Sequence, residues 1–254
     1  MLDRIELQQF FDEYLEAQRF ADYGPNGLQI EGAEQIDSLA FAVSATADSV
    51  AQTVALGAQA LVVHHGLFWK FHGARPLTGP FASRVMPLVR NAVNLFAYHL
   101  PLDAHPEVGN AVMLGRRIGL SQFEPFGDHQ GMPTGTKGTL GSPQSAAALK
   151  RLLAAELNHE VLLSSPDEHA LVRSVGIITG GANGEWARAA REGLDAYITG
   201  EMSEHDWHEA QEAGIHMFAG GHHATESFGI QALMAVVQQR FDVNCVYFDS
   251  DNPA

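Results

Sequence analysis

The 254-residue sequence has a single cysteine, Cys245, few basic residues and no long apolar run. One thiol closes no intrachain disulfide, so the expected compartment is a reducing one, the cytoplasm. Its setting, VNCVYF, is that of a buried strand residue, and no flanking His, Lys or Arg is there to lower its pKa, which sets thiol nucleophile chemistry aside. No stretch approaches the ~18 uninterrupted apolar residues of a membrane helix. The start, MLDRIELQQFFDEYLE, mixes charge with apolar residues instead of forming a signal h-region. Fifteen Lys and Arg against thirty Asp and Glu give a formal net charge of −15. That balance disfavours nucleic acid, whose phosphates are gripped by Lys and Arg that displace counterions. No Gly-rich P-loop is present to cradle a triphosphate.

What is present fits a folded, enzyme-sized unit: hydrophobic residues make up 46% of a chain long enough for one large or two small domains. An amphipathic helix is expected over 3 to 18, opened by Asp3 with Glu6 three positions on, followed by a turn cluster in DYGPNGLQIEG. Strands and helices then alternate. Strands are expected at 39–43, 60–63 and 93–98, and again at 174–179, 196–199, 216–219 and 243–248, the pattern of βαβ units with a parallel or mixed sheet in each half. The Gly-, Pro-, Ser- and Thr-rich segment 131–145 marks a boundary, giving an α/β lobe at 1–130 and a second at 131–254. Each half carries a His-His pair after a short apolar strand, VVHHG and MFAGGHH, which hints at an internal duplication.

The chain has thirteen histidines, and the excess falls largely in short clusters, several at predicted strand ends, where open α/β sheets bind their ligands. His64 and His65 close one strand. Adjacent residues leaving a strand point to opposite sides, so the pair suits two neighbouring ions better than one; alternatively one caps a turn or packs in the core. The loop after the 93–98 strand presents His99, Asp103, His105 and Glu107, of which Asp103 is the favoured ligand; Glu107 helps start a helix and His105 is an exposed loop residue. His222 and Glu226 lie four apart at a helix start and share a face, while His223 has no assigned role. Glu201 and His205 form a fourth His–carboxylate pair, either facing the same crevice as acid–base or supporting groups, or beginning a solvated helix with Asp206, His208 and Glu209. Three clusters of borderline-to-hard ligands favour metal, and Zn²⁺, Mn²⁺ and Fe²⁺ all tolerate this donor set.

The blocks DYGPNGLQIEG, VVHHGLFWK, AYHLPLDAHPEVGN, TGEMSEHD and AGGHHATESFGIQAL, in this order from residue 22 to 233, resemble the signature blocks of the NGG-interacting-factor-three family, whose members are often named GTP cyclohydrolase 1 type 2 homologues. The resemblance implies two α/β lobes related by a pseudo-dyad, a dinuclear metal site in the cleft between them and a toroidal homohexamer. It places the ligands on His64, His65, Asp103, His222 and Glu226, with Glu226 as the bridge. Segment 131–145 runs directly into the second half, as in the short bacterial form that lacks an inserted domain. The function this implies is metal-dependent hydrolysis of an unknown small-molecule substrate, with His99 or Glu201 moving protons; a metal-binding scaffold or regulatory protein without turnover is the alternative.

Overall fold

A computed structural model describes residues 1–254. In chain order the first half contains β1 (Leu2–Asp3), α1 (Arg4–Tyr14), β2 (Gly27–Ile30), β3 (Gln35–Ile36), β4 (Ser38–Ser44), α2 (Ala47–Leu56), β5 (Ala60–His65), α3 (Gly79–Arg90), β6 (Asn94–Ala97), α4 (Leu100–Asp103) and α5 (Asn110–Arg117). There follow β7 (Leu120–Phe126), β8 (Gly135–Ser145), α6 (Ala146–Leu157), β9 (Leu162–Ser164), β10 (Leu171–Ile177), α7 (Trp186–Arg191) and β11 (Ala196–Thr199). The chain ends with α8 (Glu204–Glu212), β12 (His216–Ala219), α9 (His222–Thr225), α10 (Ser227–Arg240) and β13 (Asn244–Tyr247). No helix is long and apolar enough to cross a membrane.

The chain forms two compact units, Met1–Leu102 with Ile230–Ser250, and Asp103–Gly229 with Asp251–Ala254. The first is built on a five-stranded sheet in the order β13-β4-β5-β6-β2, parallel except for β2 at its edge. Strand β4, SLAFAVS, is buried along its five central residues, the continuous apolar reading of a parallel strand covered on both faces. Leu39, Phe41, Leu61, Val62 and Leu95 lose all contact with solvent, each contributing ~1.5–3 kcal/mol of burial. Asp3 caps α1 by accepting from the Ile5 and Glu6 amides, and Thr46 with Ser49 closes a reciprocal capping box on α2. These caps fix where each helix departs from its strand, and so hold the strand ends in place.

The second unit carries a six-stranded mixed sheet, β7-β8-β10-β11-β12-β9, in which β10, β11 and β12 run parallel. Its core joins Leu114, Leu149, Leu153, Val175, Ile198 and Phe218. The segment 131–145 is not a linker here: residues 135–145 are β8, an 11-residue strand paired with both β7 and β10. Its Thr and Ser residues are tolerated because they form ladder bonds in a mixed sheet, while composition alone reads them as loop. The strand expected at 243–248 is likewise present as β13 but pairs with β4, in the first unit. The two His-His pairs do not occupy matching strands. The first ends the middle member of β4-β5-β6, and the second follows the last member of β10-β11-β12.

Candidate metal centre

In the first unit β5 and β6 run parallel with Val63 opposite Ala97. The residues just past this pair, His64 and His65 on one strand and Tyr98 and His99 on the other, therefore arrive together at the carboxyl edge of the sheet. One ligand atom from each of His64, His65 and His99 lies within 4.8 Å of the others. The rings of His64 and His65 are 4.5 Å apart, and that of His99 is 5.0 Å and 5.6 Å from them. Although His64 and His65 are neighbours at the end of β5, their rings lie side by side in this cluster.

Each imidazole has its Nδ1 held by the protein. His64 Nδ1 is 3.1 Å from the Tyr98 carbonyl, His65 Nδ1 3.0 Å from Ser44 Oγ and His99 Nδ1 2.7 Å from Asp22 Oδ1. A carbonyl and a carboxylate only accept, so His64 and His99 carry their protons on Nδ1 and present Nε2 as a lone pair in the neutral ring. This is the outer-shell arrangement that orients metal-binding histidines.

Asp22, buried in the DYGPNG turn, has no role legible in the sequence. Besides His99, its carboxylate accepts from the amides of Tyr23 (2.6 Å) and Leu100 (2.9 Å) and from Asn26 Nδ2 (3.0 Å). Burial opposes its charge, but the hydrogen bonds and charge of His99, with those of Asn26 and Leu100, prevail and hold its pKa below the usual value. The one available signal is the turn itself, since Asp in such a cluster bonds backbone amides nearby.

In the second unit β10, β11 and β12 are followed by Thr179-Gly180, Gly200-Glu201 and Gly220-Gly221, and their backbones stay laced together past the strands: Gly200 N donates to the Gly180 carbonyl and Gly221 N to that of Gly200, both at 2.9 Å. This holds His222 between two carboxylates, with Nδ1 2.6 Å from Glu201 Oε1 and Nε2 3.2 Å from Glu226 Oε2. Burial works against the charged ring, but hydrogen bonds and charge from Glu226 and then Glu201 outweigh it and push the His222 pKa up to about 9. Gly180, at φ +68°, packs so closely that a Cβ there would overlap Glu226 Oε1. Asp103 Oδ1 accepts from Asn110 Nδ2 (2.8 Å) and Thr179 Oγ1 (3.3 Å), and Asn110 Oδ1 in turn accepts the Gly229 amide at 2.9 Å. Asn110 thus ties Asp103 to the start of α10, a role that sequence reading missed.

Of the other sequence candidates, His105, Glu107 and His205 fall outside these sets. His105 Nδ1 accepts the Glu107 and Val108 amides as a turn cap. Glu201 and His205 do not act as a pair: Glu201 precedes α8 and bonds His222, while the side chain of His205 is 64% exposed. It is Asp206 that is buried, accepting from Trp186 Nε1 and Asn183 Nδ2 and closing the capping box with Ser203.

The three imidazoles of the first unit are borderline donors, and the imidazole with buried carboxylates of the second unit is a borderline-to-hard group; each is of the chemistry that suits divalent transition ions. The residues therefore fit metal.

The whole chain is similar to a curated Pasteurella multocida protein named "GTP cyclohydrolase 1 type 2 homolog", 39% identical over 254 residues with all of both chains covered. An Escherichia coli K12 protein of the same name is 39% identical over 257 residues, again across both full lengths. Among solved structures, a protein called ybgI, described as of unknown function, matches with a TM-score of 0.93 at 38% identity, and a Thermus thermophilus protein with 0.91 at 30%, each covering 100% of both chains. The model of the Duf34/NIF3 (NGG1p interacting factor 3) family matches residues 2–253, and the chain belongs to that family.

Proposed function

We propose that the protein is a two-metal hydrolase in which His64, His65, Asp103, His222 and Glu226 would hold a pair of divalent ions (Zn²⁺, Mn²⁺ or Fe²⁺), with the Glu226 carboxylate serving both. The observation that carries this reading is the cluster of His64, His65 and His99, each with a protein partner on Nδ1, an arrangement that turns Nε2 of His64 and His65 towards an ion and Nε2 of His99 towards a proton beside it. Ions held there would supply Lewis acidity and lower the pKa of water, the chemistry of metal-assisted hydrolysis. His99 Nε2 takes the proton from the attacking water, and Asp22 stabilises the imidazolium that results through Nδ1. Glu201, on His222 Nδ1, orients that ligand and keeps its Nε2 directed at Glu226.

The test is a panel of phosphoester, amide and lactam substrates incubated with metal-loaded protein. Turnover abolished by chelation and by Asp103→Ala, and reduced ~10²–10⁴-fold by His99→Gln with both ions retained, supports the assignment. Turnover indifferent to metal and to Asp103 would overturn it, and two bound ions without turnover of any substrate would favour a metal-binding protein with no catalytic role. The name carried by the relatives points to a narrower reaction, opening of the GTP imidazole ring with loss of formate. Formate release from GTP by the loaded protein checks it directly.

A further inference from the structure

Residues 49–102 contain no Asp or Glu, although the chain has 30 acidic residues, and they carry Lys70, Arg75, Arg84 and Arg90. In a protein of net charge −15 this is a segment of opposite sign, and it includes the loop after His64 and His65. That loop and the start of α3 border an open-sided cavity of about 340 Å³ lined by Phe68, Trp69, Lys70, His72, Arg75 and Phe81, among others. Its aromatic wall is built of ring contacts: the Phe68 and Phe81 rings stand near-perpendicular at 5.7 Å, and so do those of Trp69 and His99 at 5.1 Å. The cavity therefore shares a wall with the imidazole cluster.

The two cations are fixed by neutral partners. Lys70 Nζ donates to the Asp22 carbonyl at 2.7 Å, and Arg75 donates to the Leu67 carbonyl at 2.9 Å while its guanidinium lies 3.7 Å from the centre of the Phe81 ring. A carbonyl or an aromatic face orients a cation without cancelling its charge, so both remain available to an anion. Phe68, an aromatic residue lining this cavity, is 38% exposed to solvent. A concave, mostly apolar space with a few convergent polar groups is the usual form of a small-molecule site.

We propose that this cavity binds a small anion bearing a planar aromatic ring, the ring seated on Phe68 and Trp69 and the anionic group met by Lys70 and by Arg75, which lies over Phe81. The proposal deepens the hydrolase reading by naming its substrate class, and it rests on that reading only for the chemistry after binding. Metal-stripped protein separates the two, because binding is then measured without the ions. Calorimetric titration with 1-naphthyl phosphate and 1-naphthoate is expected to show saturable binding of at least one of them. Neutral 1-naphthylmethanol and inorganic phosphate, the ring and the anion alone, should each bind at least tenfold more weakly. The phosphate and carboxylate arms identify which anion the site prefers. Phe68→Ala should weaken the ring-bearing anions at least fivefold, and Lys70→Gln should remove the advantage of the anion over the neutral ring. Because Lys70 also supports the Asp22 turn, the wild-type protein supplies a second measure: raising NaCl from 0.05 to 0.5 M should weaken the anions and leave the neutral ring unchanged. No saturable binding of either anion, equal binding of the neutral ring, or binding untouched by Phe68→Ala would overturn the proposal. So would a concentration-dependent self-association that Phe68→Ala abolishes while no anion binds, which would make this face a contact between copies of the chain.

Discussion

Replacing Asp22 by Asn removes one charge and keeps the shape, yet the structure predicts a large effect. Both carboxylate oxygens face donors only: Oδ1 meets His99 Nδ1 and the Tyr23 amide, and Oδ2 meets Asn26 Nδ2 and the Leu100 amide. Whichever way the substituted side-chain amide is turned, its NH₂ confronts two of these donors. Two hydrogen bonds to a charged acceptor are lost, at ~1.5–3 kcal/mol each, and relaxation of Asn26 recovers part, leaving a destabilisation of about 2–4 kcal/mol. For a chain of this length that is a fall in Tm of roughly 5–12 °C, read by circular dichroism at pH 7. The effect has a definite pH dependence. The folded-state pKa of Asp22 lies below its usual value, so the wild-type advantage is complete above the unfolded carboxylate pKa near 3.9 and disappears as pH falls through the lower folded value. Wild type and variant should converge in Tm in that acid range. His99 loses its orienting partner as well, and outer-shell substitutions of this kind cost ~10–100-fold in metal affinity or activity. A variant with wild-type Tm and wild-type metal affinity at pH 7 would refute the account of the Asp22–His99 pair.

Gly180→Ala places a Cβ against Glu226 Oε1 at a left-handed φ, whereas Gly57→Ala meets the same backbone strain with nothing within 4 Å. Gly57→Ala should cost ~1–2 kcal/mol with metal affinity intact, and Gly180→Ala should cost more and also weaken metal binding, as checked by melting and metal titration. With the His222 pKa near 9, the metal-free protein carries the proton at neutral pH and a ligating His222 must release it. Metal affinity should therefore rise with pH up to about 9, and calorimetry in buffers of different ionisation enthalpy should detect proton release on binding. Glu201→Gln lowers that pKa and should reduce the release at neutral pH. The same protonated ring stabilises the metal-free fold below the unfolded His pKa, and that contribution is lost as pH rises through about 9.

The parts of the fold that are legible in the sequence are those written in local patterns. Strands at 196–199 and 216–219 have the expected bounds, and Asp3 caps α1 as its spacing with Glu6 implies. Helix α3 escapes such reading, because Pro80 and Pro87 in GPFASRVMPLVR suggest a broken helix; Pro80 sits in the first turn, where its missing amide proton is harmless. The partner of β13 is equally hidden, since a strand's neighbour is a long-range choice that its own residues do not encode. Among the candidate ligands, short spacings mark the adjacent His64 and His65 in the first unit and the i, i+4 pair His222 and Glu226 in the second, and position in a loop after a strand marks Asp103. The groups that orient the histidines, Asp22 for His99, Ser44 for His65 and the Tyr98 carbonyl for His64, lie 21 to 77 residues from their partners and carry no spacing signal, while Asn110, seven residues from Asp103, belongs to no pattern that marks it as a ligand's partner.

The most direct measurement is a titration of metal-stripped protein with Zn²⁺, Mn²⁺ and Fe²⁺, with bound metal quantified by mass spectrometry for wild type, Asp103→Ala and Glu226→Ala. The account predicts close to two ions per wild-type chain, with stoichiometry falling in both variants while their circular dichroism stays that of the folded protein. Wild-type protein that stays folded and binds none of the three metals would contradict it.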